Sequence, residues 1–220
     1  NIQNVEVLNY CDLIVSSVPR IVDLASRVNI RAHYMLPAFD LRNLYLACDK
    51  REFNAVFVGS IYGNTVNLLN CIKSVDKSLR IYAPTSSVPV LKKHNLFQQY
   101  FGEAWGADAY SLYSKAKVVV NRHGAIARNL SANMRLFEAT GMGACVITEE
   151  SANLNSLFTP YEEIVPYQSH LDAAIQVDNL LSTGNWYETG IRAQSRVFQN
   201  HTTDKRYSIL LEVIANLLET

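Results

Sequence analysis

The sequence predicts an α/β fold, a parallel sheet flanked by helices. Two observations carry this reading. Apolar runs of strand length, such as NAVFVGS and KVVVNRHG, are nearly continuous, and a helical pattern returns after most of them. Strands apolar at successive positions are buried on both faces, as parallel strands covered by crossover helices must be. Strand, loop and helix in repetition give the sheet its Rossmann-like character.

Taken in order, DLIVSS (residues 12–17) is the first buried strand, followed by a helix around Pro19–Arg27, with Pro19 suited to a first turn. AHYMLPAFD (32–40) is an extended connection, and LRNLYLACDKREF carries the chain onward. NAVFVGS (54–60) opens a second run with a helix near Thr65–Val75, and LRIYAP (79–84) is a strand ended by proline. FQQYFGEA reads as a weaker strand, then come a helix over Ala107–Lys115 and the strong strand KVVVNRHG (117–124). A helix over 131–141, the strand ACVIT (144–148) and the short strand EEIVPY (162–167) follow. Helices near 168–181, 185–200 and Thr203–Leu218 close the chain. The expected seam lies near residues 40–52, dividing a leading segment, 1–50, from a main domain, 51–220.

At 220 residues, 49% apolar and 18% charged, the chain can bury a sizeable core. Its 20 basic and 20 acidic residues cancel, with no electrostatic footprint for nucleic acid. The apolar runs fall far short of the roughly 20 residues a transmembrane helix needs. Cys11, Cys48, Cys71 and Cys145 show no metal-binding spacing, so no metal or cofactor is expected, and reduced thiols point to a cytoplasmic protein. Asn1 opens inside what reads as a running domain, so the chain is expected to be a piece of a longer one.

Ligands of open α/β sheets bind outside the carboxyl ends of the strands, near helix N-termini. Three such ends carry polar groups: Gly59-Ser60, Tyr82 with Thr85, and Asn121-Arg122-His123-Gly124. VGSIYGN is either a phosphate-holding glycine turn or an ordinary βα turn; it matches neither GxGxxG nor the Walker pattern. Gly141 and Gly143 follow a helix and precede a strand, which fits a helix C-cap and a tight turn. In SANMRLFEATG, Leu136, Phe137 and Thr140 form a packing face, while Arg135 and Glu138 share the other side. That pair is either a surface ion pair or a phosphate-binding guanidinium beside a carboxylate that accepts ribose hydroxyls. Asn133 would act from the first turn, and Arg122 or Arg128 could balance a diphosphate. His123 is either a packed loop histidine or a ligand contact, ahead of any role as a base.

VVVNRHG, followed by NMRLFEATGMGACVITEESANLNSLFTPYEEIVPYQS, resembles the C-terminal domain of GT-B glycosyltransferases, particularly the spore-maturation CgeB-like group. The shared features are an Asn-Arg strand end, N-x-R-x-F-E-A, a small-residue turn, and the L-F-x-P-x-E-E-I-V-x-Y run from Leu157 to Tyr167. The resemblance covers roughly residues 54–207. It implies a metal-independent transferase that binds a nucleotide-diphosphate sugar, UDP- or GDP-linked, and passes the sugar to a glycan or other acceptor. Gly59 and Ser60 match the glycine turn near the donor phosphates, and the loop after Ile81-Tyr82 the base-contacting position. Glu138 matches the ribose-binding glutamate, with Asn133 and Arg135 the polar pair before it. Residues 12–40 look like the tail of the N-terminal GT-B domain, whose missing remainder would carry the acceptor site. Two features depart from the broader pattern. Leu130 stands where E-x7-E has its first glutamate, and GSIYGNTVNLL lacks the usual Arg…Lys pair. Rival readings are a dinucleotide-dependent oxidoreductase, disfavoured by the absence of GxGxxG, and a non-catalytic binding module on a degenerate GT-B fold.

Overall fold

The structure, a computed structural model, describes residues 10–124 and 129–219. Its centre is a five-stranded, wholly parallel sheet of β3 (Phe53–Val58), β4 (Arg80–Tyr82), β5 (Ala116–Val120), β6 (Cys145–Glu149) and β7 (Val165–Tyr167). The spatial order is β4-β3-β5-β6-β7, so the direction of winding reverses between β3 and β5. Sequence alone placed each of these strands, though β7 begins three residues later than EEIVPY implied. Tyr161, in left-handed backbone, donates its N–H to the Ile164 carbonyl and turns the preceding residues away from the sheet.

Both faces are covered, which explains the unbroken apolar runs. On one face Val56, Val119 and Val146 meet α4 (Ala107–Lys115), α5 (Met134–Gly141) and α8 (Trp186–Asn200) through Tyr113, Leu136, Phe137 and Val197. On the other, Ala55, Phe57, Val118 and Ile147 pack on α2 (Thr65–Val75), α3 (Val88–Lys93) and α7 (His170–Thr183) through Leu68, Ile72, Leu91 and Val177. The first layer leaves no room at the end of α5: a Cβ on Gly141 would lie 2.3 Å from the Phe39 ring. Gly143 takes the αL turn that returns the chain to β6, at φ 75°, as its place between helix and strand predicted.

FQQYFGEA forms no full strand. It is a 3-10 turn at Phe97–Gln99 and one bridge, Tyr100 to Ile81, beside the edge strand β4. The short helices α3 and α6 (Leu154–Leu157) were not anticipated, and α5 begins at Met134 rather than at Ser131.

Ahead of the main sheet, β1 (Ile14–Ser16), α1 (Pro19–Arg27) and β2 (Ala32–Tyr34) make a small parallel βαβ unit of their own. The chain then crosses at Phe39, which is fully buried in the main core. Its N–H bonds to the His201 carbonyl and its carbonyl accepts from Thr203 N–H, at the start of α9 (Thr203–Leu218). No described helix is long and apolar enough to cross a membrane.

Candidate functional site

The reversal of winding between β3 and β5 is where an open parallel sheet leaves a crevice at its carboxyl edge. Gly59 ends β3 there, with φ at 147°, a conformation that a side chain makes costly. A second reason for glycine is contact. A Cβ at this position would lie 2.0 Å from Arg135 Nη2, so the guanidinium rests directly on the turn.

Arg135 comes from the first turn of α5. It donates from Nη1 to Asn121 Oδ1 (3.2 Å) and lies 5.3 Å above the Phe57 ring, while its buried Nε has no hydrogen-bond partner among the described residues. Asn121, fully buried at the end of β5, joins the loops around it. It donates to Thr148 Oγ1 (3.0 Å), accepts from Asn133 Nδ2 (2.8 Å), and its carbonyl accepts from the Tyr167 hydroxyl (2.9 Å). Asn133 is the N-cap residue of α5, yet its amide reaches back to Asn121 and to the Arg122 carbonyl (3.0 Å). The Asn133 side chain therefore leaves the first amides of α5 uncapped, and Asn133, Met134 and Arg135 line the crevice.

A cavity of about 470 Å³ lies on the β4 side. Gly59, Tyr82, Asn133, Arg135 and Glu138 all line it, which unites five of the residues singled out in the sequence. Pro84, in the loop after Ile81-Tyr82, also lines it, as do Tyr110, Tyr113 and Trp105, which had not been anticipated. Glu138 points into it, with the Tyr110 hydroxyl 3.4 Å from Oε1. Burial raises the Glu138 pKa, and nearby Arg135 pulls it down without prevailing. The two make no ion pair within 4 Å among the described residues, so neither is neutralised by direct contact. Burial also pushes the Tyr113 hydroxyl up to about 12, so these phenols stay protonated and can only share hydrogen bonds. At the mouth, Glu103 accepts from Trp105 Nε1 (3.0 Å) and from Thr85 N–H (2.5 Å), fixing an indole that is otherwise 62% exposed.

Ser60 lies farther along, on a recess of about 190 Å³ with Arg122 on one side and Arg135 on the other. Arg122 is tied into the protein: Nη1 bonds the Tyr62 carbonyl (2.9 Å) and Thr65 Oγ1 (2.6 Å), and Nε bonds Glu149 (3.3 Å). Beyond it a third cavity, about 850 Å³, opens over the ends of β5, β6 and β7 and is lined by both Arg122 and His123. His123 is buried, with Nε2 between the hydroxyls of Ser131 (3.0 Å) and Thr148 (3.1 Å), and burial holds its pKa below the usual histidine range. Arg128 lies outside the described residues. Among the described residues, no cluster of His, Cys, Asp or Glu could hold a metal ion.

The family profile described as glycosyl transferase-like matches residues 66–212. Among solved structures, the fold is similar to HepE from Anabaena in complex with UDP-glucose (TM-score 0.71, 12% identity, 96% of this chain and 66% of that one). It is also similar to sucrose-phosphate synthase from Thermosynechococcus elongatus (0.69, 14%, 97% and 60%). A third likeness is to the C-terminal domain of a glycosyl transferase group 1 family protein from Francisella tularensis (0.55, 16%, 75% and 99%). The chain thus spans 60–66% of the first two proteins and nearly all of the excised domain. No curated protein matches its sequence.

Proposed function

The chain belongs to the glycosyl transferase-like family, and we propose that it is the donor-binding half of a Leloir glycosyltransferase of GT-B architecture. The observation that carries this is the crevice at Gly59, where a guanidinium whose Nε has no partner among the described residues, a glycine turn and the first turn of α5 meet. Convergent N–H donors at a helix start suit a phosphate. On this reading the base lies against Tyr82, Pro84 and Trp105, the ribose hydroxyls bond Glu138, and the diphosphate rests on Arg135 and Ser60. Arg135 supplies positive charge to the recess, where the family's usual Arg…Lys pair is missing, while Arg122, which also lines it, is held by Glu149, Thr65 and the Tyr62 carbonyl. Asn121 and Asn133 then act by positioning Arg135 and the α5 N-terminus, and His123 by packing the loop beside them.

A UDP- or GDP-sugar donor, a glycan acceptor, a CgeB-like subfamily and a cytoplasmic site of action complete the proposal, supported by the residue pattern. The partner domain is supported by the lengths of the similar structures, which exceed this chain. Sugar transfer by the 220 residues alone is then slow or absent, and robust turnover by the isolated chain would contradict it.

Thermal unfolding with UDP, GDP, ADP, CMP and NAD tests the reading. A ligand present at about 100 times its Kd adds about 2.7 kcal/mol of stability. A selective response to one nucleoside diphosphate is expected. A response to NAD alone, or to none of the five, would overturn the assignment.

A further inference from the structure

Arg51 stands just ahead of β3, at the amino end of the sheet and so at the edge opposite the crevice. Burial lowers its pKa, yet among the described residues it makes no ion pair. A partly buried guanidinium without a carboxylate has to be held by dipoles. Its side chain donates to three carbonyls: Nη1 to Tyr113 (2.9 Å) and Ala116 (3.2 Å), Nη2 to Met142 (3.0 Å). Tyr113 and Ala116 close α4 and Met142 caps α5, so one cation joins the carboxyl ends of two helices, where the helix dipole favours it. Two glycines make room for this junction. A Cβ on Gly143 would lie 2.7 Å from Arg51 Nη2, and one on Gly190 of α8 would lie 2.4 Å from the Gly143 carbonyl.

The same two helices wall the nucleotide crevice. From α4 come Tyr110 and Tyr113, from α5 Arg135 and Glu138, and all four line the cavity. The Tyr110 hydroxyl lies 3.4 Å from Glu138 Oε1. Tyr113, whose carbonyl Arg51 holds, places its phenol within reach of the Arg135 charge.

We propose that Arg51 is a positioning residue for this crevice: it fixes α4 against α5, and that spacing sets how far Glu138 is shielded from water. The inference rests on the nucleotide reading only for the identity of the ligand. Arg51 does not line the cavity and acts through the carbonyls of Tyr113 and Met142. Where the helices part, water reaches Glu138 and the desolvation that raises its pKa relaxes. The titratable groups facing Glu138 are Tyr110 and Tyr113 on α4 and Arg135 on its own helix. Burial keeps both phenols protonated and a guanidinium is charged throughout, so the Glu138 titration reports the closure of the crevice.

The test compares Arg51→Gln and the milder Arg51→Lys with the parent and with Ile72→Val, a core change on the opposite face of the sheet. The Glu138 carboxyl is titrated by NMR in the ligand-free protein, its signal assigned as the one missing from Glu138→Gln. Affinity for UDP and for GDP is measured alongside. In Arg51→Gln the Glu138 midpoint should fall back toward the ordinary carboxylate value, and the diphosphate that binds the parent should bind about tenfold more weakly. Arg51→Lys keeps a charge at the helix ends without the planar fork, so both effects should be smaller, and it carries the test if Arg51→Gln does not fold. Ile72→Val should melt earlier than the parent and leave the Glu138 midpoint unmoved. A folded Arg51 variant in which Glu138 titrates as in the parent overturns the proposal. An equal fall in Ile72→Val overturns it too, because the effect is then one of general loosening. If neither diphosphate binds the parent, the nucleotide reading fails, while the Glu138 titration still decides the role of Arg51.

Discussion

Arg122 and Arg135 stand on either side of one small recess and differ in what already holds them. Arg122 bonds a carbonyl, a hydroxyl and a carboxylate, so its charge and donors are satisfied within the fold. Arg135 donates to Asn121 Oδ1 and keeps a buried Nε with no partner among the described residues. The cavities they border differ too: Arg135 shares one with Glu138, whose pKa burial raises, and Arg122 lines one together with Glu149 and Glu150. The availability of a guanidinium, more than its presence at a strand end, separates an anion site from a structural joint.

The contrast is sharpest in alanine substitutions. Arg135→Ala should lower affinity for the preferred nucleoside diphosphate by up to about 100-fold, the scale of two charge-assisted hydrogen bonds, when followed by calorimetry. Arg122→Ala should act on the fold instead, costing about 1–3 kcal/mol in chemical denaturation with a far smaller change in affinity. Reversal of that order would exchange the roles of the two residues. Gly59→Ala brings a Cβ onto the Arg135 guanidinium and strains a positive-φ backbone, and should cost about 1–3 kcal/mol together with ligand binding.

Glu138→Gln tests the nucleoside side and should cost about tenfold in nucleotide affinity. Its effect on the ligand-free protein should run the other way. The folded state raises the Glu138 pKa, so the carboxyl's contribution to stability is complete below the ordinary carboxylate value and is lost as pH rises through the raised one. The amide, always neutral, escapes that loss. Its melting temperature relative to the parent should therefore climb between pH 4 and pH 8; a constant difference would contradict the sign. Trp105→Ala, with the smallest expected effect, removes a stacking surface and should weaken binding about three- to tenfold with unchanged stability.

Much of the sheet was legible because β3, β5 and β6 are apolar on both faces, a pattern that only double covering explains. Gly59 and the pairing of Arg135 with Glu138 on one helix side were legible for the same local reasons. The remainder is written in contacts distant in sequence. Arg122 meets Thr65 across 57 residues, and nothing in NRHG states that its arginine is already engaged. Tyr110 and Tyr113 carry no local signal of a site, although Tyr110 bonds Glu138, 28 residues away. Asn133 reads as a first-turn residue, but it precedes the first turn of α5 and its amide turns to a neighbouring strand end. FQQYFGEA has strand composition, yet it lies beside the edge strand, where one bridge suffices.

Phe39 joins three parts of the molecule that are distant in sequence. Its backbone ties the chain entering from the βαβ unit to the chain leaving toward α9, and its ring fills the space above Gly141, at the last turn of α5. Arg135 rides on the opposite end of that eight-residue helix, and Glu138 lies near its middle. Truncating the Phe39 ring should therefore loosen the base of the helix whose first turn carries Arg135.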